Sequence, residues 1–162
     1  MITTVVRDFI PVASATAFDY AAEMRNLDQW GVGVRAVEQL EGSGPAVGAR
    51  YRCTMFSTHG PKASYNMIAL DPGKSFVMQG ETDQLKFTDT YVFEPSADGV
   101  YVTLTDELEI KGWGALLEGA LRPLMKIQIG KDVANLKAAL IPFASGADSQ
   151  KVHSRTAGAA AG

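Results

Sequence analysis

The chain has one cysteine, Cys53, in 162 residues. No intrachain disulfide can form, and a reducing cytoplasm is the expected compartment. Cys53 reads as a small buried hydrophobe. Histidine is almost as scarce, with His59 in a turn segment and His153 near the C-terminus. A metal centre needs several converging His, Cys or acidic ligands, so neither a metal nor any other cofactor is expected. Positive charge is also in short supply. Fifteen basic residues face eighteen acidic ones, for a net charge of −3, and no Lys/Arg run is dense enough to track a phosphate backbone. Nucleic acid is therefore not an expected partner. No apolar run reaches the roughly eighteen residues that would read as a transmembrane helix. The opening MITTVVRDFI enters a strand pattern directly, without the features of a signal peptide. A GxSxG elbow, a Gly-rich phosphate loop and a Cys/His pair in a recognisable context are all missing, which leaves nucleophilic catalysis without a candidate.

What is present is an ordinary globular composition, 46% apolar and 20% charged, at a length that suits one core. Residues 2–10 are β-branched and extended in character, and Pro11 ends them because it cannot donate to a sheet ladder. Ser14 then stands where it can cap a short helix carrying Ala17, Phe18, Ala21 and Ala22 at helical spacing. A second short helical segment runs from Asn26 to Trp30, closed by Gly31 and Gly33. From residue 34 to about 110, strands alternate with the turn signals EGSGPAVG, STHGPK, LDPGK and EPSADG. Five or six strands so closely joined form an antiparallel meander. Tyr51, Cys53 and Met55 share one face of their strand. Phe87, Tyr91 and Phe93 do the same, as do Val102, Leu104 and Leu108.

The element long enough to cover that face is the segment from about Trp113 to Leu140. Leu117, Leu121, Leu124, Met125, Ile129, Val133, Leu136 and Leu140 recur there in steps of mostly three and four, as one stripe on a helix. Pro123 inside it predicts a kink or break near Leu121 and Arg122. Lys126, Lys131 and Lys137 read as scattered solvent-side charges, which argues against a membrane-surface helix. The domain is expected to span residues 1–143, with 144–162 a disordered tail. The fold class is α+β, a curved antiparallel sheet around a long C-terminal helix with two short helices after the first strand, leaving an apolar cavity.

This order, carried by FDYAAEMRNLDQW at 18–30, GPAVGARYRC at 44–53, LDPGKSF at 70–76 and YVFEPSADGVYVTLTDELE at 91–109, resembles the START-like helix-grip superfamily. That superfamily, also called SRPBCC, includes lipid-transfer domains and aromatic polyketide cyclases. The resemblance implies an internal ligand site, with Trp30 near its mouth. The candidate lining is Trp30, Tyr51, Cys53, Met55, Phe76, Met78, Tyr91, Phe93, Leu104, Leu117, Leu121 and Met125. Tyr51 and Tyr91 could turn hydroxyls toward a ligand. The same alternation that turns Phe87, Tyr91 and Phe93 inward also turns Asp89 inward, and Asp106 follows from Leu104 and Leu108. A carboxyl in an apolar cavity has a raised pKa, which suits proton shuttling. The alternatives are a bulge that re-phases one strand, or acids merely hydrogen-bonded at a wet cavity mouth. Two functions follow as expectations: binding or carriage of a small hydrophobic molecule such as a lipid, isoprenoid or polycyclic aromatic, or polyketide cyclisation and dehydration assisted by Asp89 and Asp106. A protein-interaction module with a vestigial cavity is a third. The expected oligomeric state is a monomer or weak homodimer.

Overall fold

A computed structural model describes residues 1–145; the tail expected from residue 144 lies almost wholly outside them. Strand β1 (Ile2–Ile10) leads into helix α1 (Ser14–Ala22), a 3-10 turn (Met24–Asn26) and the single-turn helix α2 (Leu27–Trp30). Six strands follow: β2 (Val34–Glu41), β3 (Arg50–Met55), β4 (Lys62–Asp71), β5 (Ser75–Glu81), β6 (Leu85–Ser96) and β7 (Gly99–Ile110). A 3-10 segment (Gly112–Leu117) then leads into helix α3 (Glu118–Leu140). The sheet order is β1-β7-β6-β5-β4-β3-β2, and every pair is antiparallel. The meander thus has six strands, and β1 closes it on the β7 side. Register shifts between Met67 and Ala69 in β4 and at two places in β2 supply the extra residues that bend a strand and increase its twist. The result is a curved sheet that grips α3.

The β5–β6 turn carries no glycine or proline, which is why the count of strands stayed open in the sequence. It is made instead by Thr82, whose Oγ1 accepts from the backbone N–H of Gln84 at 3.3 Å and of Leu85 at 3.0 Å, a side-chain turn of the kind threonine can supply. Two further expectations are corrected. Ser14 is the first residue of α1 and makes no cap; its hydroxyl is buried without a partner. Of the kink or break expected at Pro123, the break does not occur: α3 runs unbroken from Glu118 to Leu140. The carbonyl that Pro123 deprives of a partner belongs to Gly119, which is exposed, so water can satisfy it.

The core lies between the concave face of the sheet and the C-terminal half of α3. Ile129, Val133, Leu136 and Leu140 are buried there with Phe76, Phe93, Val102 and Leu104, and α1 adds Phe18. Phe18 packs edge-on to Phe76 and Phe93. The helix is tethered at its flank by Lys137, whose Nζ is 3.3 Å from Asp8 on β1. The 3-10 segment and the N-terminal half of α3 do not cover the sheet as expected: Leu116 and Leu117 in the first, and Leu124 and Ile127 in the second, are exposed. The cavity opens beside this half.

Candidate functional site

Between the sheet, α2 and α3 lies a cavity of about 750 Å³, within the ordinary range for small-molecule sites. Its walls are aromatic and aliphatic. Trp30 stands edge-on to Tyr91 at 6.1 Å, Tyr91 stacks on Phe76 at 4.4 Å, and Tyr65 leans on Phe87 at 4.9 Å. Tyr65 and Phe87 meet because Gly80 lies directly opposite Phe87 in the β5–β6 ladder, and the ring occupies the space where a Cβ would sit. Lining residues that are also exposed, among them Phe56, Pro61, Asp83 and Gln84, mark the opening. Phe56 sits there with φ +64, its N–H bonded to the Gly33 carbonyl at 2.6 Å. That backbone conformation is unfavourable for a bulky residue.

Of the residues singled out in the sequence, Trp30, Met55, Tyr91, Leu104, Met125, Asp89 and Asp106 line this cavity. Tyr51, Cys53, Phe76, Met78 and Phe93 are buried in the surrounding core and do not line it. The Tyr51 hydroxyl donates to the Gly44 carbonyl at 3.3 Å. The Cys53 thiol is pushed up to about 12 by burial alone, so it stays protonated. Leu121 packs beside a separate small cluster of Ile2, Leu108 and Ile110, and Leu117 faces solvent.

The chemistry is concentrated in carboxyl groups. Asp89 on β6 and Asp106 on β7 are direct cross-strand partners. Each points into the cavity from a strand whose alternate side chains are core, and they are only 7% and 4% exposed. Their carboxyls hydrogen-bond to each other. The Oδ1 atom of each is buried without a partner, as is Nε1 of Trp30. Burial drives the Asp89 pKa well above its ordinary value, the charge of Asp106 drives it further, and the hydrogen bond it donates to Asp106 adds to the rise. Burial also raises Asp106, partly offset by the bond it accepts from Asp89. Two adjacent carboxylates do not both ionise readily in a dry site, so the pair as a whole is pushed toward its protonated form.

Sequence reasoning missed a third acid. Asp132 on α3 lines the same cavity, and burial raises it to about 7 against the opposing effect of a 2.6 Å hydrogen bond from the backbone N–H of Val32. The signal was available. Asp132 is three residues past Ile129 and four before Leu136, within the span of the buried stripe, but only apolar residues were counted there. One turn further on, Asn135 Nδ2 donates to the Trp30 carbonyl at 3.1 Å. Together these two bonds fix the loop at residues 31–33 and the tryptophan beside it. Tyr65 and Tyr91 are raised well above the phenol range, first by burial and then by the charge of Asp89, so both remain hydrogen-bond donors. The basic residue of the lining is Lys62 at the opening, and its Nζ is 2.7 Å from Thr54 Oγ1. Among the described residues no group of three His, Cys, Asp or Glu is placed to hold a metal ion.

A curved sheet gripping a long helix around a ligand-sized cavity defines a helix-grip ligand-binding domain. The chain belongs to the family described as polyketide cyclase / dehydrase and lipid transport, whose model matches residues 1–140. Comparison with curated proteins gives no match. Among solved structures, one from Thermus thermophilus superposes with a TM-score of 0.69 at 16% identity, covering 86% of this chain and 97% of the other. The di-domain ARO/CYC StfQ from the steffimycin biosynthetic pathway gives 0.65 at 18% identity, covering 85% of this chain and 50% of that one. A second di-domain ARO/CYC, BexL, gives 0.68 at 18% identity, covering 85% and 46%. At such identities the likeness is one of fold.

Proposed function

We propose that this protein is an acid–base catalyst of carbonyl chemistry, acting on a small, largely apolar molecule that carries keto and hydroxyl groups. The observation that carries this reading is the Asp89–Asp106 pair, cross-strand neighbours buried in an aromatic cavity with no ion-pair partner among the described residues. Leaving such acids uncompensated costs stability, and simple retention of a hydrophobic ligand has no need of them. Ionised Asp106 accepts the proton from the carbon next to a carbonyl, while a protonated donor, Asp89 or the Tyr91 hydroxyl, gives a proton to the carbonyl oxygen. The product is an enol. Its carbon attacks a second carbonyl of the same chain, the new alkoxide takes up a proton, and loss of that hydroxyl with a neighbouring hydrogen releases water. Protons return to where they began, and nothing is oxidised or reduced. The membership of ARO/CYC proteins in the same fold supports this reading.

The test pairs binding with turnover of a linear poly-β-ketone mimic for wild type, Asp89→Asn and Asp106→Asn. Loss of a general acid or base is expected to lower the rate by about 10²–10⁴-fold, while affinity changes by roughly tenfold or less. A wild-type protein that binds the mimic tightly and never converts it would leave carriage without chemistry as the function.

A further inference from the structure

The walls of the cavity are unbalanced in charge. Asp89, Asp106 and Asp132 line its interior and Asp83 its opening, against one base, Lys62, which stands at the opening with its Nζ on Thr54 Oγ1. Over the whole chain eighteen acids meet fifteen bases, so the excess belongs to this cavity. None of the three inner acids has an ion-pair partner among the described residues.

Unmet hydrogen-bonding capacity lies in the same place. The Oδ1 atoms of Asp89 and Asp106 are acceptors without a partner, on side chains more than nine-tenths buried. On the α3 wall, Asp132 accepts one bond, from the Val32 N–H, and Gln128, one turn earlier on the same helix face, also lines the cavity. Trp30 Nε1 is a donor left in the same condition. A buried acceptor costs stability until a donor meets it. A ketone oxygen is itself an acceptor, so it can serve Trp30 but none of the acids. A hydroxyl brings one donor and no charge. A protonated amine brings up to three donors and the missing countercharge, and aromatic walls such as Trp30, Tyr65, Phe87 and Tyr91 are surroundings that attract a cation.

We infer that the ligand of this cavity carries a protonated amine on an otherwise apolar body, and that Asp132 is the carboxylate that receives it. Asp132 suits the role because the Val32 N–H holds one of its oxygens in place, while Asp89 and Asp106 are turned toward each other across the sheet. Burial raises Asp132 to about 7, with the charge of Asp106 on β7 adding to the rise, and its own charge acts on Tyr65 of β4 and on Asp89 and Tyr91 of β6. Both tyrosines stay neutral in that range. A cation beside the carboxyl favours its charged form, so binding displaces the proton that the empty site holds. The inference rests on the proposal that this cavity is the ligand site and names the chemical class of its occupant; the carbonyl chemistry of the aspartate pair is read by a separate assay.

The test is titration calorimetry of the full chain with two probes of one shape, naphthylethylamine, which is charged, and naphthylethanol, which is neutral. At about pH 7.5 the amine should bind at least about tenfold more tightly, the scale on which an opposite charge acts on a buried carboxyl. That preference should shrink as pH falls through about 7, where protons compete for Asp132. Near that pH the amine should release protons to the buffer and the alcohol none, a readout that needs no variant. Asp132→Asn keeps an acceptor for Val32 and should abolish the preference while leaving alcohol affinity unchanged. No binding of the amine, equal affinity for the two probes, amine binding without proton release, or a preference that survives Asp132→Asn would each overturn the inference. Turnover of the poly-β-ketone mimic by the same preparation keeps the two proposals apart: turnover without amine preference removes the amine alone, and amine preference without turnover removes the chemistry alone.

Discussion

At the scale of single residues, the three cavity acids make stability depend on pH in a direction opposite to the usual carboxylate. Asp132 has an ordinary value of 3.8 and is raised to about 7 in the folded protein, so the native state binds more protons than the unfolded one across that interval. Its contribution is complete below the unfolded value and is lost as pH rises through about 7. Asp89 and Asp106 are shifted in the same direction. Glu23, which Arg25 holds below the ordinary range against the opposing pull of burial, acts with the opposite sign. The melting temperature is expected to fall as pH is raised from about 5 to about 8. Asp132→Asn keeps an acceptor for the Val32 N–H and removes the titration, so it should reduce that fall. A calorimetric pH series on both proteins checks this, and an identical slope in the variant would locate the effect elsewhere.

At the scale of elements, α3 and the β5–β6 ladder each rest on one contact that can be tested. Leu136 is fully buried on the inner face of α3, and Leu136→Ala should cost about 2–5 kcal/mol as a large-to-small core change. Its neighbour Lys137 is tied to Asp8 through a pair that is partly open to solvent, and Lys137→Ala should cost below about 1 kcal/mol. Denaturant titration of both decides whether the helix phase is right. Gly80 has a different burden. A Cβ there would meet the Phe87 ring at 1.9 Å, so Gly80→Ala must displace a ring that also forms the cavity wall. The expected loss is about 1–3 kcal/mol, the scale of overpacking, together with weaker ligand binding. A variant as stable as wild type would show that Phe87 has room to turn.

At the scale of the whole molecule, the fold was readable because its two periodicities are clean. Period-two alternation in β3, β6 and β7 identified the inward face, and the same alternation put Asp89 and Asp106 on it. Steps of three and four identified the buried stripe of α3 from Ile129 onward. Alternation gives the side of a strand but not the depth along it, which is why Tyr51 and Cys53 share Met55's face yet stand behind the cavity wall. The exposure of Leu117 has a separate cause. The α-helix begins at Glu118 after a 3-10 segment, whose three residues per turn shift the phase relative to an α-helix started at Trp113. Asp132 escaped notice because exposed apolar residues such as Leu124 and Ile127 leave the helix without one clean polar side against which an acid stands out.

The proposed chemistry rests on a proton held by the Asp89–Asp106 pair at neutral pH, and carboxyl carbon NMR across a pH titration observes that proton most directly. With the aspartate side chains labelled and assigned through Asp89→Asn and Asp106→Asn, the Asp89 carboxyl should keep the chemical shift of a protonated acid at pH 7. The two signals should then move together when the shared proton is lost at higher pH. Two independent carboxyls that both ionise near the ordinary value of 3.8 would contradict it.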